Sequence, residues 1–407
     1  QTRQIAQQLR GLGGATPIGP VARQLATAVD GLSRGVTGQA RFAASHRNGK
    51  FAVNLFDIGL LSASGVVLRM PGKDVVTANN SGLFLRGMAR FGGGLFPSGR
   101  ALFAGQSGTL NFQPYVADGA RLTLAPTRIS LGAQGVSLKT VATLDGPLGT
   151  GWISGLTLPI RMEKGALWRG CLPIRYRAVR IAQLRLSPAV MTACLGQRDV
   201  RLAPVRLVGV LDKSPIRFSV AGATYSLKGG HWRVLAPSVR LQNGTDESVL
   251  TAALVTGWST PAGLSGDMTG LSGSLGAVPL SASQGAGRWR VTQAGLLFDG
   301  KMMIADRQAE PRFFPISADA IQLQLTGTHM RGEALLREPK SGALLSRLAL
   351  QHNLSDGRGG AQLEVEKLSF NDRLQPEAIS PVTLGVVANV QGSLRGQGRI
   401  DWTPQGV

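Results

Sequence analysis

Two periodicities divide the chain. Over residues 1–35 apolar positions recur at helical spacing. Ile5, Leu9 and Leu12 precede a break at Gly13-Gly14; Val21, Leu25, Ala28/Val29 and Leu32 follow Pro20, a residue suited to a first helical turn. The spacing predicts two short helices, the second stopping at Gly31 or Gly35. From residue 36 the period falls to two. Phe51/Val53/Leu55, Leu122/Leu124, Val179/Ile181, Leu184/Leu186, Val205/Leu207, Ile321/Leu323/Leu325 and Leu363/Val365 alternate with small or polar residues. Hairpin signals separate them at Asn48-Gly49, Asp118-Gly119, Asp145-Gly146, Asn243-Gly244, Asp299-Gly300 and Asp356-Gly357. The expectation is a mainly β chain of many short antiparallel strands with short N-terminal helices.

The strand rhythm suggests four stretches: a helical segment 1–35, strands over 36–256, a Gly/Ser-rich segment 257–287, and strands again over 288–407. The third stretch reads either as a flexible connection or as thin strands. Leu264, Met268, Leu271, Leu275, Val278 and Leu280 interrupt it often enough to favour strands. A compact sandwich normally ends its meander after 100 to 200 residues and supplies aromatics. Here the meander continues to the end of the chain with only 5% aromatic residues. An extended sheet with one long apolar face answers this more simply. Such a face must be covered, by protein or by lipid acyl chains.

Composition narrows the chemistry. A 43% hydrophobic content over 407 residues supports a real core and excludes wholesale disorder. Four scattered His and two Cys offer no metal-ligand spacing, so no metal, cofactor or enzymatic activity is expected. No run approaches the roughly 18 to 20 apolar residues of a membrane helix. The chain opens on Gln1 without a leader and ends abruptly, so it reads as a piece of a longer protein whose anchor lies elsewhere.

Net charge is +21, and 35 of the 44 basic residues are Arg. The excess peaks over 161–217, where twelve Lys and Arg face only Glu163, Asp199 and Asp212. Single-strand nucleic-acid binding wants aromatics interleaved with such cations. After Trp168 that segment has only Tyr176, so no nucleic-acid partner is expected. Two readings stay open: a solvated outer sheet face, or attraction to anionic headgroups or another polyanion.

Three motifs invite a chemical reading. Gly31-Leu32-Ser33-Arg34-Gly35 matches the G-x-S-x-G elbow, but a helix precedes it and strands follow, the reverse of the required context. Gly295 to Met302 nearly spells a P-loop, yet Met302 cannot ligate Mg²⁺, and Asp299-Gly300 between apolar triplets reads as a two-residue hairpin. Cys171 and Cys194 enclose 22 residues. A disulfide between them would add roughly 3 kcal/mol on the loop-entropy model and suit an oxidising compartment; two unconnected thiols are the alternative.

The C-terminal fifty residues are the most specific. His352-Asn353-Leu354-Ser355-Asp356-Gly357-Arg358-Gly359-Gly360-Ala361 leads into Leu368-Ser369-Phe370. Then follow Leu374-Gln375-Pro376-Glu377-Ala378-Ile379-Ser380-Pro381, Val390-Gln391-Gly392-Ser393-Leu394 and Gly396-Gln397-Gly398-Arg399-Ile400-Asp401-Trp402. This run resembles the YdbH family of the AsmA-like group, which includes TamB. The resemblance implies a repeating, taco-shaped β-groove along which phospholipids move through the periplasm between inner and outer membranes. It further implies an inner-membrane anchor in the full-length protein and a small outer-membrane lipoprotein that extends the groove by strand addition.

On that reading the expected groove lining is Val53, Leu55, Leu122, Leu124, Ile181, Leu207, Leu323, Leu325, Leu363, Val365 and Phe370. A one-residue register slip would turn each strand's set outward. The rival expectations are a β-rich periplasmic scaffold with a filled interior, and a polyanion-binding protein without lipid transport.

Overall fold

The computed structural model describes residues 6, 10, 19–32, 35–132, 135–148, 151–164, 166–167, 169–260, 263–276, 278–292 and 295–403. The first expected helix (Ile5, Leu9, Leu12) and Ser33 of the elbow-like motif lie outside them. The described chain is one helix, α1 (Gly19–Leu32), two short 3₁₀ turns and thirty-three strands, numbered β1–β33 in chain order. Paired strands run antiparallel throughout the described ladders. The fold is mainly β.

Contacts divide the chain into two compact units. One comprises Gln1–Val179, Pro188–Arg201 and Ser226–Gly230; the other comprises Arg180–Ser187, Leu202–Tyr225 and His231–Val407.

In the first unit β1 (Val36–Arg47) and β2 (Lys50–Ser62) form a hairpin. Asn48 and Gly49 take φ of 50° and 72°, the left-handed pair that a type I′ turn demands. Asp118-Gly119 turns the chain in the same way, at 45° and 79°. Helix α1 lies on this unit's sheet. Its Val21 and Leu25 cover Ala117, Ala120, Leu122 and Leu144. The helix end comes so close to the turn after β2 that a Cβ on Gly31 would sit 2.4 Å from Cβ of Ser64.

Two of the six hairpin signals are corrected. Asp145-Gly146 lies inside β11 (Gly135–Leu148) and Asp299-Gly300 inside β28 (Gly295–Asp306). Each marks a bulge, where the register slips between Leu144 and Gly146 or between Gly300 and Met302. The apolar alternation continues through both pairs, and neither takes the left-handed backbone of a type I′ turn, so the strand runs on through a bulge instead of reversing. At the first bulge the Asp145 carboxylate accepts the Gly155 N–H at 2.8 Å.

The second unit contains the longest run of neighbouring strands. β26 (Gly263–Ser274) and β27 (Leu280–Thr292) carry the Gly/Ser-rich stretch into the sheet and pair with each other. After β28 follow β29 (Ile316–Thr326), β30 (His329–Arg337), β31 (Leu344–Asn353), β32 (Gly359–Phe370) and β33 (Gly392–Trp402), each paired with its predecessor. Gly270, Gln284 and Ala320 take φ of 63°, 52° and 50° at mid-strand register slips. Such bulges bend and coil strands. Hairpin ends far apart in strand order accordingly meet. Asn243 donates its side-chain amide to the Leu354 carbonyl at 3.2 Å, and Leu275, Val278 and Leu280 around the β26–β27 turn pack on Leu348, Leu350, Ala361 and Trp402.

Candidate functional site

Register separates the two faces of the second unit's sheet. Trp289, Phe298, Leu323, Gly332, Leu350, Ala361 and Ile400 are successive partners across β27 to β33. A neighbouring row runs Val291, Leu296, Leu325, Met330, His352, Gly359 and Trp402. Shift by one residue and the chemistry inverts. That row reads Arg288, Asp299, Gln322, Glu333, Ala349, Gln362 and Arg399. Partners in an antiparallel ladder point to the same side, so one face is apolar and the other polar.

The apolar face is continuous and extends to earlier strands. Leu207, Phe218, Val239, Leu250, Gly273, Ala282, Ile304 and Ile316 form a single row of partners. Its centre is closed by its own side chains. Trp289, Phe298, Ile321, Leu336 and Leu368 are buried, and Leu323, Leu363, Val365 and Phe370 pack against them half-buried. Glycines make room for the large rings. Gly287 and Gly300 are register partners, and a Cβ on either would come within 2.7 Å of Cζ of Phe298. The Trp232 and Trp289 rings lie 5.4 Å apart.

The first unit has a smaller face that opens toward one edge. Phe42, Leu55, Val76 and Leu85 are successive partners, as are Ala44, Val53, Ala78 and Leu83. Val76 is buried, Leu55 is half-buried, and Phe42 on the edge strand is 72% exposed. Further along, Leu122 and Leu124 are partners of Leu144 and Ala142. Leu122 lies beneath α1.

A family model described as YdbH-like, intermembrane phospholipid transport protein YdbH, matches residues 3–407. The chain belongs to the YdbH-like family. The match takes in both units and goes well beyond the C-terminal run that carries the resemblance. No curated protein and no solved structure matches the chain. The family transports phospholipid between membranes; no helix among the described residues of this YdbH-like chain is long and apolar enough to cross one.

Of the residues expected to line a groove, the structure gathers Leu323, Leu363, Val365 and Phe370 into one cluster. Leu325 and Leu207 join the same face through the register rows. Val53 and Leu55 share the first unit's open face. Ile181 ends its strand half-buried and belongs to none of the described apolar clusters. Sequence reasoning missed Phe42, Trp289, Phe298 and Trp402. The alternation around Phe298 was the available signal, hidden by reading Asp299-Gly300 as a turn.

The opposite, outer faces carry the charge. Arg175, Arg177, Arg185, Arg206 and Arg217 are exposed, and two of them have acidic neighbours, Arg177–Asp145 at 3.6 Å and Arg217–Glu247 at 3.7 Å; Arg161–Glu163 at 2.6 Å and Arg201–Asp199 at 2.9 Å are further pairs of the same segment. Cys171 and Cys194 are direct partners of β14 (Gly170–Tyr176) and β17 (Ala189–Leu195) and form a disulfide. On the inner side of β14 the Tyr176 hydroxyl is buried without a hydrogen-bond partner among the described residues, and burial raises its pKa.

Proposed function

We propose that this chain is part of a non-enzymatic bridge that carries phospholipids through the periplasm between inner and outer membranes. The acyl chains would slide along a hydrophobic groove. The observation that carries the reading is the row-by-row separation of apolar and polar faces across β27–β33 in a chain of a phospholipid-transport family. Each methylene of an acyl chain gains roughly 0.8 kcal/mol by leaving water. A lining that repeats at every strand keeps that gain while the lipid moves, so sliding is easier than escape. Val53, Leu55, Leu122, Leu124, Ile181, Leu207, Leu323, Leu325, Leu363, Val365 and Phe370 are the proposed lining, with Phe42 added.

The membrane anchor and the partner belong to the same proposal. The inner-membrane anchor would lie outside these residues. In the described ladders β1 pairs only with β2 and β33 only with β32, and their side chains are exposed apart from Trp402. Such edges accept an added strand, which is how a small outer-membrane lipoprotein would extend the groove.

The buried centre of the apolar face favours a second reading, a scaffold whose interior is already filled. Mass spectrometry of lipids retained after exchange into detergent-free buffer separates the two. Several phospholipids per chain are expected. Phe42→Glu, at an exposed position that folding tolerates, should lower the amount retained, and Leu323→Glu with Leu325→Glu should abolish transport in cells. A folded, soluble, lipid-free chain would overturn the conduit in favour of the scaffold.

A further inference from the structure

The β31–β32 ladder stops early. Its last pair is Arg347 with Glu364, although β31 continues back to Leu344 and β32 continues on to Phe370. Beyond that pair the two strands share no ladder pair, and each keeps only its outer neighbour as a backbone partner; the Arg347 side chain still reaches the Glu366 carboxylate at 2.6 Å on the exposed side. Arg337 of β30 pairs with Leu344, whereas Leu368 and Phe370 pair with Leu394 and Gly392 of β33. The sheet is therefore split at this end. A cavity of about 690 Å³ opens there, lined by Lys340, Lys367 and Arg373 together with Leu344, Leu368 and Leu374. Among the described residues no carboxylate lines it. Leu368 and Leu374 are 6% and 2% exposed and belong to the apolar cluster of the inner face, so the cavity floor is the edge of that face.

Two of the three cations stand on built turns. The buried Glu338 carboxylate accepts the N–H groups of Lys340 and Ser341, which fixes the β30–β31 turn that carries Lys340. Asn371 exchanges backbone hydrogen bonds with Leu374 at 3.1 and 3.0 Å, and its side chain accepts the Arg373 N–H at 2.9 Å. Lys367 projects from the bulge between Val365 and Leu368. Cations held on an outer rim above an apolar floor fit an amphipathic anion.

We propose that the split between β31 and β32 is a lateral portal for phospholipid. Lys340, Lys367 and Arg373 receive the headgroup phosphate while the acyl chains pass Leu368 and Leu374 onto the apolar face. Phosphate offers those cations charge-assisted hydrogen bonds, stronger than neutral ones. The portal rests on the conduit reading, and it also explains how lipid reaches a face that its own side chains close.

The test follows uptake from vesicles of phosphatidylethanolamine and phosphatidylglycerol that contain a trace of acyl-labelled phosphatidylglycerol. Lys367→Glu with Arg373→Glu should slow uptake roughly tenfold, the loss of one or two exposed charged contacts. The final load should not change. An acyl-labelled diacylglycerol, which lacks the phosphate, should be taken up equally fast by parent and variant. Arg185→Glu with Arg206→Glu, the same charge change on an outer face, should leave phosphatidylglycerol uptake unaltered. Inorganic phosphate at matched ionic strength should not compete. Unslowed phosphatidylglycerol uptake in the portal variant overturns the portal alone. So does equal slowing of diacylglycerol, equal slowing by the Arg185/Arg206 variant, or strong competition by inorganic phosphate, which would mark a free-anion site. A parent chain that takes up neither lipid overturns the conduit as well.

Discussion

The indole N–H of Trp402 donates to Nδ1 of His352 at 3.0 Å, across the intervening strand at Gly359. The glycine is required, since a Cβ there would lie 2.5 Å from the Trp402 ring. The bond needs an unprotonated Nδ1, and burial lowers the His352 pKa from its ordinary 6.5 against the opposing pull of Asp356 and of the Arg358 backbone hydrogen bond.

Stability should follow from that bond. A folded pKa below the unfolded one means the contribution is complete above pH 6.5 and is lost as pH falls through the folded value. Denaturation midpoints measured between pH 8 and pH 5 should drop over the acid half of the range (about pH 6.5 downward). His352→Gln should flatten the drop, since a neutral amide cannot charge.

Tyr176 makes the opposite kind of prediction. Its hydroxyl was desolvated on folding and gains no partner among the described residues. Tyr176→Phe removes the unsatisfied group and keeps the ring. Stability should rise by about 1 kcal/mol in urea unfolding. A loss of that size would mean that the hydroxyl has a partner, such as an ordered water.

Gly300 is a packing constraint with ordinary backbone geometry. A Cβ there would meet the Ala286 carbonyl oxygen at 2.5 Å and Phe298 Cζ at 2.6 Å. Gly300→Ala should therefore cost about 1–3 kcal/mol. Adding Phe298→Leu should recover part of it; simple additivity of the two changes would refute the contact.

The Cys171–Cys194 bridge closes a sequence separation of 23 residues. Its reduction should lower stability by roughly 3 kcal/mol on the loop-entropy model. Cys171→Ser with Cys194→Ser should match the reduced wild type. If reduction leaves the unfolding midpoint in place, the bridge contributes nothing to the folded state.

The strand class was legible because alternation needs only local sequence. Asn48-Gly49 and Asp118-Gly119 likewise marked true turns, since nothing apolar continues through them. Asp145-Gly146 and Asp299-Gly300 misled for a physical reason. An Asp-Gly pair permits a left-handed turn without requiring one, and both pairs keep ordinary strand backbone because the residues around them find ladder partners on the neighbouring strands. That Leu323 and Leu325 share one side of their strand, and Leu363 and Val365 one side of theirs, followed from parity; which side faces the other strands' apolar rows did not, because that is set by the register. That Leu122 lies under α1 did not, because the docking of a helix onto a sheet is a tertiary choice without a local signature. The split between β31 and β32 was also invisible. It arises where two strands keep different neighbours, and neither sequence alone records that.

From β27 to β33 each strand bonds only to the strands beside it in sequence, with inward and outward positions kept in step by the bulges. An antiparallel pair is then a removable module. Excising a whole hairpin rejoins strands of matching direction and leaves the order of the remaining rows intact, whereas excising one strand reverses every strand after it. The permitted edits come in twos, at about 4.8 Å per strand. The reach of such a chain can thus be adjusted in steps of about 10 Å with the order of its strands kept.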